Sequence, residues 1–225
     1  MNPAHTVVVL SGGIDSTVVA ALAHARGDKV SAVTIDYGQR HRREIVAASL
    51  VARHYTMAHQ LIDLRGLAGV LGGSALTDGA VEVPHGHYAL PSMAATVVPN
   101  RNAILANVAA GVAVAVKADA IALGVHAGDH PIYPDCRPEF VDALARSVAA
   151  GNAGYHVPRV EAPLVHMTKT AVVRLGHQLG APFELTWSCY EGGTMHCGRC
   201  GTCVERREAF DLARVPDPTT YEPAG

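Results

Sequence analysis

Short apolar runs alternate with helix-periodic segments along most of this chain. The first run, Thr6–Leu10, is continuous and β-branched, the pattern of a strand covered on both faces. An alanine-rich stretch then predicts a helix over Ser16–Arg26, stopped at Gly27-Asp28. Val30–Ile35 reads as a second strand, followed by an amphipathic helix from about Arg40 to His54 and a third strand over Gln60–Leu64. Beyond residue 100 the pattern predicts a helix over Asn102–Val116, a strand over Ala120–Val125 and a helix over Pro138–Ala149. A short strand at Val160–Ala162 and a helix over Thr168–Leu179 follow. Strands and helices in strict alternation predict a doubly wound α/β fold with a mainly parallel, five-stranded sheet. Between Gly66 and Pro99 the periodicity lapses and Gly and Pro accumulate. A loop of that length is expected to form a lid or substrate wall, and to carry the chain to the far side of strand one. With no internal repeat or linker, residues 1–225 are expected to form one domain with a C-terminal subregion at about 186–210.

At 225 residues the chain can bury a substantial core. Nearly half of it is apolar and its formal net charge is −2, which excludes disorder and a general electrostatic grip on nucleic acid. The start Met-Asn-Pro-Ala-His does not read as a secretory signal, and no apolar run reaches membrane-spanning length. A cytoplasmic protein with no membrane contact is therefore expected. The cysteine count is five, an odd number, and four of them crowd together, which favours reduced metal-binding thiols over a disulfide framework. The histidines are scattered, and none is assigned to a metal.

Between the first strand and first helix lies Leu10-Ser11-Gly12-Gly13-Ile14-Asp15-Ser16-Thr17. Adjacent glycines let backbone approach a ligand, and a helix start presents unpaired N–H groups that favour a phosphate chain. Ser11, Ser16 and Thr17 add hydroxyl donors, and Asp15 is suited to holding Mg²⁺. There is no Gly-Lys-Ser/Thr ending, so this is not a Walker A loop. The SGG-x-DS pattern instead resembles the PP-loop of the ATP pyrophosphatases, which cleave ATP between its α and β phosphates. The plainer reading is a glycine turn with a Ser/Asp helix cap.

Cys189, Cys197, Cys200 and Cys203 form a C-x7-C-x2-C-x2-C cluster with Gly198 and Gly201 between the later members. Four thiolates on glycine-loosened turns can close a tetrahedral structural Zn²⁺ site. An iron–sulfur cluster has the same ligand requirement, and Zn²⁺ is favoured because nothing else in the chain points to redox chemistry. His196 reads as a bystander, and Cys136 as a small buried hydrophobe rather than a reactive thiol.

Further stretches extend the resemblance. Asp36-Tyr37-Gly38-Gln39-Arg40-His41, Val98-Pro99-Asn100-Arg101-Asn102, Tyr133-Pro134-Asp135-Cys136-Arg137 and Ser188-Cys189-Tyr190 occur in that order between the loop and the cysteines. Together they resemble the 7-cyano-7-deazaguanine synthase family of queuosine biosynthesis, over about residues 6–210. Asn100 stands where that family usually has Gly, and His130-Pro131-Ile132 where a Ser-Gly pair is common. The resemblance implies an ATP-dependent carbon–nitrogen ligase that takes a 7-carboxy-7-deazaguanine and ammonia to the nitrile through adenylated intermediates. It further implies a homodimer acting on small molecules. Pyrophosphate would sit on residues 10–17, with Asp15, Ser16 and Lys169 catalytic and Asp36 near the nucleotide. Arg101, Asp135 and Arg137 would hold the base. Gln39, Arg40 and His41 are equally readable as a solvated helix start. The rival readings are a tRNA-thiolating PP-loop enzyme, which calls for catalytic cysteines and a basic face, and a nucleotide-binding zinc module without turnover.

Overall fold

Strands β1 (His5–Val9), β2 (Lys29–Asp36), β3 (Ala58–Asp63), β4 (Ala120–Ala122) and β5 (Arg159–Glu161) form one sheet in the computed structural model, which describes residues 3–87 and 91–223. Their order is β3-β2-β1-β4-β5 and every pairing is parallel, so the sheet is parallel throughout rather than mainly so. Helices α1 (Ile14–Ala25), α2 (Arg43–His54), α3 (Arg101–Ala115), α4 (Pro138–Gly151), α5 (Lys169–Gln178) and α6 (Gly201–Ala213) complete the fold.

The period-2 alternation of β1 divides the core. Val8 packs with apolar residues of α1, α2, α5 and α6 on one face. Val7 packs with α3 and α4 on the other, where Ala106, Ala109, Ala110 and Ala113 let α3 lie close to the sheet. The chain winds outward from β1 to β3, then crosses back to place β4 beside β1. The reversal point lies at the carboxyl ends of β1 and β4, the position at which open parallel sheets bind ligands.

The expected elements are all present, with shifted boundaries. α2 begins at Arg43 rather than about Arg40, and β4 ends at Ala122 rather than Val125. The segment expected as a lid or wall does cross the sheet, with short 3-10 turns at Arg65–Leu67 and Pro91–Thr96. Residues 88–90 of that segment lie outside the described residues. Leu76 enters the core, and Gly86 donates its N–H to the Arg199 carbonyl. This part of the crossing is therefore pinned to the cysteine region. α6 was not expected from the sequence pattern. Its inward stripe of Cys203, Arg206, Ala209, Phe210 and Ala213 has helical spacing, but an arginine sits in its middle. Among the described residues no helix is long and apolar enough to cross a membrane.

Candidate active site

The phosphate loop is shaped by close packing. Gly12 has φ +85°, and a Cβ there would lie 2.2 Å from the Glu44 carbonyl and 2.6 Å from the Ala48 nitrogen, so α2 permits no side chain. No side chain caps the start of α1, which leaves its first amides available to an anion. Leu10, Ser11, Gly13, Ile14, Asp15 and Ser16 line the cleft. The Ser11 and Ser16 hydroxyls stand 3.0 Å apart. Gly12 and Thr17 do not line it. The Thr17 hydroxyl instead donates to the Gly13 carbonyl at 2.8 Å, so it braces the loop from behind.

A buried ionic cluster faces the loop. Lys169, the first residue of α5, places Nζ 2.8 Å from Asp15 Oδ2 and 3.2 Å from Glu205 Oε2. Burial opposes charge on both Asp15 and Lys169, but their attraction outweighs it. The carboxyl pKa is held below its ordinary value, while Asp15 and Glu205 push the ammonium above its own. Among the described residues Asp15 Oδ1 has no hydrogen-bond partner. His126 is wholly buried, and its Nδ1 accepts the Gly128 N–H at 3.0 Å, which assigns the proton of the neutral ring to Nε2. That N–H lies 3.4 Å from Asp129 Oδ2 and 3.8 Å from Asp15 Oδ1. His126 Nε2 lies 3.2 Å from Lys169, but in this tautomer it cannot accept from it. A carboxylate oxygen without a partner, an ammonium and open helix amides together offer the kinds of group that a phosphate chain and its cation require.

Away from the loop, the cleft runs between Tyr37, Leu105, Tyr133, Tyr190 and Arg101. The Arg101 guanidinium lies 5.8 Å from the centre of the Tyr133 ring. Burial pushes the Tyr37 phenol up to about 12, so it stays a neutral donor. Gln39 and His41 are buried in the wall and both donate to Glu44, at 2.9 and 3.1 Å, so they are not a solvated helix start. Arg40 alone of the three is exposed, and its guanidinium donates to the Val81 carbonyl.

The Cys189, Cys197, Cys200 and Cys203 sulfurs are all buried and lie within 4.8 Å of one another. Zn–S bonds of about 2.3 Å set tetrahedral sulfurs about 3.8 Å apart, so the four fit such an ion with little adjustment. Cys197 Sγ also receives the Arg199 and Cys200 amides at 3.5 and 3.3 Å, which suits a thiolate. Gly198 takes φ +73° in that turn. His196 stays outside the sulfur cluster, accepting the Ser188 N–H at 3.1 Å and packing on Trp187. Cys136 is buried beside Asn102, and burial raises its thiol pKa, as suits an inert residue.

The family model described as queuosine biosynthesis protein QueC matches residues 5–214. The chain belongs to this family. A relative named 7-cyano-7-deazaguanine synthase from Rhizobium johnstonii is 55% identical over 217 residues, covering 96% of this chain and 92% of its own. Another of that name from Paracoccus denitrificans is 54% identical, covering 97% of this chain and 94% of its own. Among solved structures, the U34-tRNA thiolase NcsA from Methanococcus maripaludis with its [4Fe-4S] cluster matches with TM-score 0.51 and 17% identity. That match covers 80% of this chain and 58% of the thiolase. A 4-thiouridine synthetase in complex with RNA and bound ATP gives TM-score 0.53 and 17% identity, covering 97% of this chain and 47% of its own. These two share the fold.

In this QueC-family chain, Asp15, Ser16, Lys169 and Arg101 converge on one cleft although Lys169 is 154 residues from Asp15. Asp36, Asp135 and Arg137 lie outside the cleft lining, each held by nearby backbone or a charge. Asp36 is buried, accepts the Gly38 N–H and pairs with Arg42 at 2.7 Å. Asp135 accepts the Asn102 N–H at 2.9 Å and so caps α3, and Arg137 donates to the His130 carbonyl at 2.9 Å. His126 and Glu205 were not singled out from the sequence. One is a histidine among thirteen, and the other belongs to the unexpected helix.

Proposed function

We propose that this chain is an ATP-dependent ligase that turns 7-carboxy-7-deazaguanine and ammonia into 7-cyano-7-deazaguanine. The observation that carries the reading is the paired Lys169 and Asp15 at an uncapped glycine loop, in a chain more than half identical to synthases of that name. A carboxylate does not acylate ammonia, because it has no leaving group other than oxide. Attack of the carboxylate oxygen on the ATP α-phosphate expels pyrophosphate and gives an acyl adenylate. Ammonia then displaces AMP, losing a proton, and forms the amide. A second ATP adenylates the amide oxygen, again expelling pyrophosphate, and loss of AMP with the nitrogen-bound protons leaves the nitrile. Both adenylations need an in-line oxygen and a well-held pyrophosphate.

The loop amides with Ser11 and Ser16 would hold the pyrophosphate, and Lys169 would offset its growing charge. Asp15 would hold the Mg²⁺ that accompanies ATP and neutralises its phosphates. Arg101, among tyrosines in the cleft, suits the carboxylate of the base. Asp36, Asp135 and Arg137 are assigned a supporting part, fixing the turn after β2, the start of α3 and the segment near His130. The four cysteines would hold one structural Zn²⁺. The near-neutral charge supports work on small molecules without stable nucleic-acid contact, and the rest of the reading is a cytoplasmic homodimer without membrane contact. The test is incubation with the carboxylate, ammonium and Mg·ATP. Mass spectrometry should find the nitrile, with two AMP and two pyrophosphate formed per nitrile, whereas ADP and phosphate as main products would overturn the reading.

A further inference from the structure

Beside the phosphate loop stands a carboxylate to which the chemistry above gives no part. The Glu205 side chain is 13% exposed and lines the cleft, with Oε2 3.2 Å from Lys169 Nζ. It belongs to α6, not to the loops at the ends of the strands. Its neighbours in sequence leave it little freedom. Cys203, two residues earlier, is one of the four clustered sulfurs. Arg206, the next residue, is wholly buried, and its guanidinium donates to Asp217, Thr186, Ser188 and the Phe183 carbonyl. Moving the carboxylate off Lys169 by turning the helix would strain both tethers.

The hydrogen bonds of the ammonium explain why a second carboxylate is useful. Lysine offers three protons. Asp15 takes one at 2.8 Å, and Glu205 Oε2 stands 3.2 Å away as an ion-pair partner. His126, with its Nδ1 occupied by the Gly128 N–H, presents an N–H rather than a lone pair. At least one proton therefore remains for a phosphate oxygen. Once Asp15 is engaged by the nucleotide and its cation, Lys169 would keep Glu205 as its fixed partner. Without that partner a charge on a flexible four-carbon stem has no unique position between Asp15 and the phosphates.

We propose that Glu205 is a positioning residue for pyrophosphate release, the counter-ion that holds Lys169 against the loop while Asp15 serves the nucleotide. The cysteine knuckle is then part of the active site, because it anchors the start of the helix that carries this carboxylate. The inference rests on the adenylating reaction proposed above, and its test separates the two. The test is a double-mutant cycle of Glu205→Gln and Lys169→Gln, with metal content and melting temperature measured for each protein. It is read first on Mg·ATP affinity by calorimetry, with no acceptor present, and then on kcat with carboxylate and ammonium. Glu205→Gln is expected to lower kcat about 10-fold or more and to change the KM for ATP less than about 3-fold. Combined with Lys169→Gln it should add nothing further to the loss of kcat, and in the Mg·ATP cycle its effect on affinity should vanish or reverse once Lys169 is Gln. Glu205→Asp, which keeps the charge, should recover part of kcat at unchanged metal content. Independent, multiplying effects in both readouts would overturn the proposal, as would wild-type kcat with only a lowered melting temperature. A wild-type protein that binds Mg·ATP but makes no nitrile would sink the reaction, and the binding cycle would then decide the role of Glu205.

Discussion

Gly124 follows β4 closely and faces the start of α1, so it offers a way to move the phosphate loop without touching any charged group. A Cβ at this position would lie 2.8 Å from the Ser16 nitrogen, 3.0 Å from the Asp15 carbonyl carbon and 3.1 Å from the Ser16 Cα. Backbone atoms cannot rotate away as a flexible side chain can. The first contact is about 0.6 Å inside the ~3.4 Å at which ordinary contact begins. Gly124→Ala should therefore push the loop and the start of α1 back by about half an ångström. A misplacement of 1 Å costs on the order of 100-fold in rate, so a shift of this size should cost about 10-fold to 20-fold in kcat. Overpacking costs about 1–3 kcal/mol, partly offset by about 0.4–1 kcal/mol from a stiffer unfolded chain. For a domain of this size the net effect is a loss of at most about 10 °C in melting temperature. Pyrophosphate release at saturating substrates, with a parallel thermal melt, reads both quantities. Gly111→Ala is the control: the glycine lies within α3, nothing stands within 4 Å, and turnover should be unchanged. Stability there should rise by up to about 1 kcal/mol. If Gly124→Ala keeps turnover within about twofold of wild type, the loop tolerates displacement and the argument from close packing is wrong.

Elemental analysis should find about one zinc per chain, and Cys200→Ser should lower metal content and melting temperature together; a brown, iron-rich protein would contradict the zinc reading. Arg101→Ala should raise the KM for the carboxylate by about 30-fold or more, from a lost buried charge contact of about 2–5 kcal/mol, and leave the KM for ATP nearly unchanged. Equal effects on both substrates would move the base pocket elsewhere. Asp217→Asn should destabilise by about 2–3 kcal/mol, because Arg206 is wholly buried yet keeps its Thr186, Ser188 and Phe183 partners. Burial raises the Asp217 pKa, but Arg206 more than offsets this and holds it below the ordinary value. The pair therefore contributes fully above about pH 4 and fades as pH falls through the depressed value. A variant whose acid unfolding still tracks that of wild type would refute it.

What the sequence revealed depended on how local each signal was. The phosphate loop is contiguous, and its neighbouring strand and helix are strongly periodic, so Ser11 to Ser16 could be placed from pattern alone. The cysteines likewise carry their own spacing. Lys169 was legible as the start of a helix, but its pairing with Asp15 depends on a sheet order that brings β4 beside β1. Asp36, Asp135 and Arg137 show the limit of position alone. Lying near strand or helix ends suggested a ligand, yet Asp135 has a backbone N–H within 2.9 Å and Arg137 a carbonyl at the same distance. Sequence position gives the end of an element, not the direction of its side chains. Glu205 escaped notice because the arginine within the α6 stripe obscures an otherwise regular apolar period.

The separation of 154 residues between Asp15 and Lys169 also bears on how the molecule is born. Synthesis at about 5–20 residues per second puts roughly 8–30 seconds between the emergence of the loop and that of its lysine. During that interval the loop can form as a local strand–turn–helix and gain α2 behind it, but Asp15 has no counter-charge. Nucleotide cannot then serve as an early template for folding. It can reward only a chain whose β4, α5 and α6 have docked, so tight ATP binding marks a finished molecule. In a pulse-labelled translation, the nucleotide-retaining fraction should lag the full-length fraction, not precede it.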